Sequence, residues 1–337
     1  MITVNKPIKE ITCAQQGQVP AEVYASTEPV VIRGLVTDWP LVKIGLESAR
    51  DAGDYLKSFY QNIPITASIG DPDIEGRIFY NEDFSGFNYQ SIKADLGDLL
   101  ENIYNCAEQD NPPTFYMAST FVDRFFSGFR EQNPLDLDTD SPLVSVWLGN
   151  RSRIAAHYDL PDNIACCAVG RRRFTLFPPD QLANLYPGPL DWAPGGQPIS
   201  LVDFKQPDFD AFPNFQKALD CAQAATLEPG DGLFIPSMWW HHVEGLEALN
   251  ILVNYWWRQT PNYMDSPANA MLYGMMSIRD LPEKQKQIWR QMFDYYIFDA
   301  DKDSHSHIPE QGKGSLGVID ETLNRKIRSL LLKKLNR

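Results

Sequence analysis

A mainly β fold, a sandwich or barrel with flanking helices and a helical C-terminal extension, is what this chain predicts, on three observations. From about residue 112 to 258, short β-rich runs alternate with turns. The chain's 25 prolines are scattered, which suits short strands and turns better than a helical bundle. Beyond residue 260 the apolar spacing changes to the helical period.

Taken in order, Pro29-Val30-Val31-Ile32-Arg33-Gly34 reads as a buried strand entering a loop at Asp38-Trp39-Pro40. Residues 47–60 and 90–108 carry helical spacing, the second through Leu96, Leu99, Leu100, Ile103 and Tyr104. Strands are expected at 114–118, 143–148, 164–169, 172–177, 232–235 and 250–257, with Gly170 marking a tight hairpin. Near the C-terminus, Ile288, Trp289, Met292, Phe293 and Tyr296 share one helical face, and Ile319, Leu323, Ile327, Leu330 and Leu331 share another. These faces either pack on their own domain or pair with a second subunit. The expected division is a domain at 1–260 and a helical region at 261–337.

With 44 acidic against 30 basic side chains in 337 residues, the net charge is −14. That argues against nonspecific nucleic-acid binding, which needs concentrated Lys and Arg. Five cysteines, an odd number without C-x-x-C spacing, read as reduced thiols of a cytoplasmic protein. No signal peptide, bilayer-length apolar run, internal repeat or low-complexity tract is visible.

The chemistry is sought among five histidines. His157-Tyr158-Asp159 is an H-x-D pair, and residues two apart on a strand point to one face. A distant histidine would complete a two-His-one-carboxylate triad with open coordination positions, as Fe(II) oxygenases need. In Gly230-Asp231-Gly232-Leu233-Phe234-Ile235-Pro236-Ser237-Met238-Trp239-Trp240-His241-His242-Val243-Glu244, alternation groups His241 with Trp239 and Val243, so His241 is the expected ligand. His242 is then a supporting or surface residue. By the same alternation Arg172 shares an inward face with Phe174 and Leu176, and an inward arginine predicts an anionic partner. Arg171 and Arg173 read as solvated. His305 and His307 read as solvated linker.

Together PVVIRGLVTDWP, HYD, GRRRFTLFPPDQLANLYP, GDGLFIPSMWWHHVEG and NILVNYWW resemble, in order, the cupin-like branch of the JmjC-domain Fe(II)/2-oxoglutarate oxygenases. Within that family the likeness points toward the asparaginyl hydroxylase that inhibits hypoxia-inducible factor. The resemblance covers about residues 25–260. It implies a double-stranded β-helix (the jelly-roll or cupin fold) with Fe(II) held by His157, Asp159 and His241. It also implies 2-oxoglutarate reaching from the metal to Arg172, with Tyr116 donating to its far carboxylate and Asn163, Asn254 and Trp256 lining the pocket. A homodimer through the C-terminal helices follows from the same likeness. Three departures stand out: Arg172 where the family usually has Lys, Ile154 where that hydroxylase has a threonine, and a loop, DWAPGGQPIS, without its substrate-binding Arg-Gln pair.

The expected activity is hydroxylation of an unactivated carbon, with a protein or peptide side chain as substrate by analogy with the relatives. A small molecule or modified nucleoside stays open as substrate, and methyl-lysine demethylation is less favoured in a chain without reader-domain segments. A metal-binding cupin without turnover is the competing class. A Zn²⁺ hydrolase fits poorly for want of a separate general base. Neither a nucleic-acid nor a membrane partner is expected.

Overall fold

The β-rich runs pair into two sheets. In chain order the strands are β1 Lys6–Pro7, β2 Lys9–Thr12, β3 Val30–Arg33, β4 Ile65–Gly70, β5 Arg77–Ile78, β6 Gln90–Ala94, β7 Thr114–Phe121, β8 Leu143–Gly149, β9 Ser152–His157, β10 Asp162–Val169, β11 Arg172–Phe177, β12 Gln223–Leu227, β13 Gly232–Ile235, β14 Trp240–Gly245 and β15 Asn250–Trp257. A six-stranded sheet has the order β1-β12-β11-β14-β9-β5, and a nine-stranded sheet the order β2-β3-β13-β10-β15-β8-β7-β4-β6. The computed structural model describes residues 2–301 and 303–336. It divides into one unit ending at Arg258 and another beginning at Gln259.

The central strands are covered on both faces, so β10 and β13 read as continuous apolar runs, whereas the edge strands β1, β2 and β6 stay largely exposed. On β10, Ala165 and Cys167 face the core between the sheets with Phe174, Leu176, Leu233, Val243 and Leu252. The alternate residues Ile164, Cys166 and Ala168 face an outer layer built with Leu41, Leu56, Leu96 and Leu100. That layer comes from helices at Pro40–Glu47, Ala49–Ser58 and Leu96–Asn105. Proline opens the first, and the others are capped by Ser48 and Asp95, whose side chains accept from the backbone N–H of Asp51 and Gly97. The other sheet is backed by Phe204, Phe215, Leu185 and Ala218 against Trp240 and Phe177. This two-sheet architecture with flanking helices is the mainly β, double-stranded β-helix class expected.

Two local expectations need correction. Residues 90–94 form a strand rather than the start of a helix, and the helix begins only after the Asp95 cap. Gly170 makes no hairpin: β10 and β11 lie in different sheets, because β13 and β15 already occupy both edges of β10. The glycine turns the chain from one sheet to the other at φ +70°.

The second unit holds helices at Pro267–Ser277, Glu283–Phe293 and Glu321–Leu335, the last capped by Asp320 accepting from the Leu323 N–H at 2.7 Å. None of these three helices buries a residue within the chain. Among the described residues no helix is long and apolar enough to cross a membrane.

A Cβ at position 170 would sit 2.5 Å from the carbonyl oxygen of Leu249, and the backbone there is left-handed. Gly170→Ala is therefore expected to destabilise the protein by about 1–3 kcal/mol. Thermal unfolding checks this, and an unchanged midpoint would contradict it.

Candidate metal centre

Strand register brings the two histidines together. β9 and β14 are antiparallel neighbours in which His157 pairs directly with His241, and the ring centroids lie 4.3 Å apart. The register slips between that pair and the next, Val243 opposite Ile154, so β9 carries one extra residue at Ala155–Ala156. Such a bulge re-aims the side chains beyond it. It lets Ile154 and His157, three apart in sequence, line the same cavity.

Asp159 lies just past the end of β9 rather than on it. Its position is set by a second loop. Its carbonyl accepts from the Met238 N–H at 2.9 Å, and the Ser237 hydroxyl donates to the Leu160 carbonyl at 2.6 Å. Met238 adopts φ +68°, a left-handed conformation held by these ties. The donor atoms of His157, Asp159 and His241 all fall within 4.8 Å of one another.

Hydrogen bonds select the tautomers. The Nδ1 of His157 lies 2.9 Å from the Ala155 carbonyl, and that of His241 3.0 Å from the Trp239 carbonyl. A carbonyl only accepts, so each Nδ1 carries the proton and each Nε2 presents its lone pair. Burial, then the neighbouring His157, pushes the His241 pKa down to about 4, which keeps that imidazole neutral. One oxygen of Asp159 accepts from the Trp256 indole N–H at 3.1 Å. Two imidazole nitrogens and a carboxylate oxygen suit a borderline divalent ion such as Fe(II).

The cavity next to this cluster is lined by all the expected residues: Tyr116, Asn163, Arg172, Asn254 and Trp256 join the three ligand candidates. Arg172, Phe174 and Leu176 are buried together, as alternation predicts. Arg172 is 2% exposed, its Nε has no partner, and its Nη2 reaches only the Asn250 carbonyl, at 3.5 Å. Burial pulls its pKa down, opposed by the Tyr116 phenol and Cys167 thiol beside it. Among the described residues no carboxylate pairs with it, so the cavity itself holds an unmet demand for an anion. The Asn254 amide donates to the Asn163 carbonyl oxygen at 2.8 Å.

Three sequence readings change. His242 is buried, which leaves the supporting and not the surface reading: its ring packs at a tilt against Phe204 with ring centroids 4.5 Å apart, because a further layer covers that face of β14. Burial pushes its pKa down to about 3. Arg173 is half-buried near Glu244, whereas Arg171 stays exposed with Glu247. His305 is buried beside Tyr295 and Tyr296, and only His307 stays exposed. Sequence reasoning also missed Trp147 on the cavity wall. Its strand, Leu143–Gly149, is apolar on both faces apart from Ser145, so alternation singles out no inward face.

Residues 16–263 match the cupin-like domain family. The lysine-specific demethylase JMJ31 of Arabidopsis thaliana is 33% identical over 142 residues, covering 40% of this chain and 25% of the relative. The tRNA wybutosine-synthesizing protein 5 of Gallus gallus is 25% identical over 262 residues, covering 71% of this chain and 73% of the relative. HSPB1-associated protein 1 of Homo sapiens is 34% identical over 117 residues, covering 33% of this chain and 23% of the relative. The chain thus spans about a quarter of the first and last relatives and about three quarters of the second.

The Trp256 bond to Asp159 predicts that Trp256→Phe weakens divalent-metal binding about 10–100-fold while the metal-free melting temperature stays close to wild type. Calorimetric titration with Mn(II) measures it, and unchanged affinity would remove Trp256 from this role.

Proposed function

The chain belongs to the cupin-like domain family, and from that premise we propose that it is an Fe(II)- and 2-oxoglutarate-dependent dioxygenase, a hydroxylase of an unactivated carbon. The observation that carries the reading is one cavity in which a His-Asp-His cluster faces an arginine without an anion.

His157, Asp159 and His241 would hold the metal. Bound there with 2-oxoglutarate, Fe(II) supplies the oxidation in which 2-oxoglutarate, O₂ and a C–H bond become succinate, CO₂ and C–OH. The chain's own residues do the rest. Arg172 neutralises the far carboxylate, and the Tyr116 hydroxyl donates to it. On β11 Arg172 lies four residue steps from Leu176, the partner of His241, about 13 Å of strand that the arginine side chain partly spans. That interval suits a molecule with an anionic group at each end. Trp256 fixes the Asp159 carboxylate, the Asn163–Asn254 pair lines the wall, and Phe174, Ile235, Val243 and Leu252 exclude water.

The substrate we favour is a protein or peptide side chain, a reading supported by a relative named as a lysine-specific demethylase. A second reading, a modified nucleoside in RNA, is favoured by the long match to the wybutosine-synthesizing protein. The net charge of −14 weighs against it. A second copy is the proposed partner of the C-terminal helices, where Met276, Ile288 and Leu332 lie open on the three helices that bury nothing within the chain. Free cysteines throughout the described chain support a reducing, cytoplasmic setting.

Anaerobic protein with Fe(II) is expected to develop a weak visible charge-transfer band as 2-oxoglutarate is added, and to form succinate when O₂ is admitted. His157→Ala is expected to lose both and stay folded. Metal binding without band or succinate in the wild-type protein would leave a binding module instead. Because Arg172 is buried without an anion, Arg172→Met is expected to stabilise the ligand-free protein by about 1–3 kcal/mol. The same variant should lose the upward melting shift that 2-oxoglutarate gives the wild type. Calorimetry reads both, and a destabilised ligand-free variant would contradict the account.

A further inference from the structure

Two nitrogen donors in the cavity lack an acceptor. The Nε of Arg172 and the indole Nε1 of Trp147 are both sealed from solvent without a hydrogen bond, and both residues line the same cavity. A buried N–H without a partner costs about what a lost hydrogen bond does, so each such group calls for an explanation. The co-substrate's far carboxylate accounts for Arg172. Nothing so far accounts for Trp147.

Trp147 stands on β8 opposite Leu252 of β15. Its ring centroid is 6.2 Å from that of Tyr116, beside Arg172, and 6.0 Å from that of Trp256, whose indole bonds the Asp159 carboxylate. It therefore spans the wall between the cationic and the metal-facing parts of the cavity. An indole N–H only donates, so its missing partner is an acceptor. The cavity's unpartnered protein acceptor, the Asn254 Oδ1, is not that partner, since it too is unbonded. A carboxylate offers about four lone-pair positions, of which an arginine fork fills two.

We propose that the indole N–H of Trp147 donates to the same far carboxylate as Arg172, making Trp147 a specificity-determining residue that lets the pocket read a second anionic group on its co-substrate. The inference rests on the 2-oxoglutarate reading above. It assigns Trp147 a polar task where its aromatic surroundings would otherwise make it a plain wall.

The test compares 2-oxoglutarate with 2-oxopentanoate, which keeps the chelating end and replaces the far carboxylate by a methyl group. Calorimetric titration into the Zn(II)-loaded full chain should show Trp147→Phe weakening 2-oxoglutarate roughly tenfold or more. Binding of 2-oxopentanoate should be nearly unchanged. Equal losses for both ligands would make Trp147 a packing residue and overturn the inference, as would no loss for either. In ¹⁵N-labelled protein the Trp147 indole resonance should move downfield with 2-oxoglutarate and not with 2-oxopentanoate, with assignment through Trp147→Tyr if the phenylalanine variant does not fold. Equal movement with both ligands would point to a water as the acceptor and also overturn it. If wild-type protein binds metal but neither oxoacid, the functional reading itself fails. If it binds 2-oxoglutarate normally and only the Trp147 response is absent, the functional reading stands and this inference alone falls.

Discussion

A guanidinium buried in the space between two sheets is the constraint around which the cavity of this protein is organised. Arg172 occupies an inward position on β11, a strand flanked on both sides by others, so its side chain cannot swing out to water without leaving the sheet. Burying a cation there is unfavourable unless an anion joins it, and the chain supplies none among its described carboxylates. The surrounding structure must therefore be stable enough to hold that charge in place. The apolar layers outside both sheets, anchored by capped helices on one side and by Phe204 and Phe215 on the other, provide that surplus. The cavity thus keeps an uncompensated cation on its wall, at the expense of the fold's own stability.

The other end of the cavity depends on register instead of charge. His157 and His241 meet because two antiparallel strands pair them directly, and backbone carbonyls then fix both tautomers. Asp159 has no strand to hold it and relies on its loop's ties to the Ser237–Met238 turn and on Trp256. Strand register places the nitrogen ligands, and loop and indole hydrogen bonds place the oxygen.

Much of this was legible in the sequence. Period-two alternation put Arg172 with Phe174 and Leu176 and separated His241 from His242, since facing follows directly from the pleat. Strand limits at Arg172–Phe177, Gly232–Ile235 and Asn250–Trp257 followed from their β-branched and aromatic runs. What alternation cannot express is which strands pair. The Gly170 turn was visible as a turn, but its crossing between sheets depends on edges already occupied by strands distant in sequence. The burial of His242 likewise depends on residues 199–221 folding over β14 from afar. Trp147 was missed because its local neighbours give no clean period, and its meaning lies in an indole proton that only three-dimensional structure shows to be unpaired.

The bulge at Ala155–Ala156 has an evolutionary consequence. Deleting a single residue there would restore ordinary pairing between β9 and β14 and leave most of both cores intact. The same deletion would leave Ile154 and His157 two residues apart, opposite Val243 and His241, and so still on the cavity face. A chain of this fold that is one residue shorter here is therefore expected to keep both the sandwich and the inward facing of the His-Asp-His cluster, so this stretch of β9 tolerates a change of length that a regular strand would not.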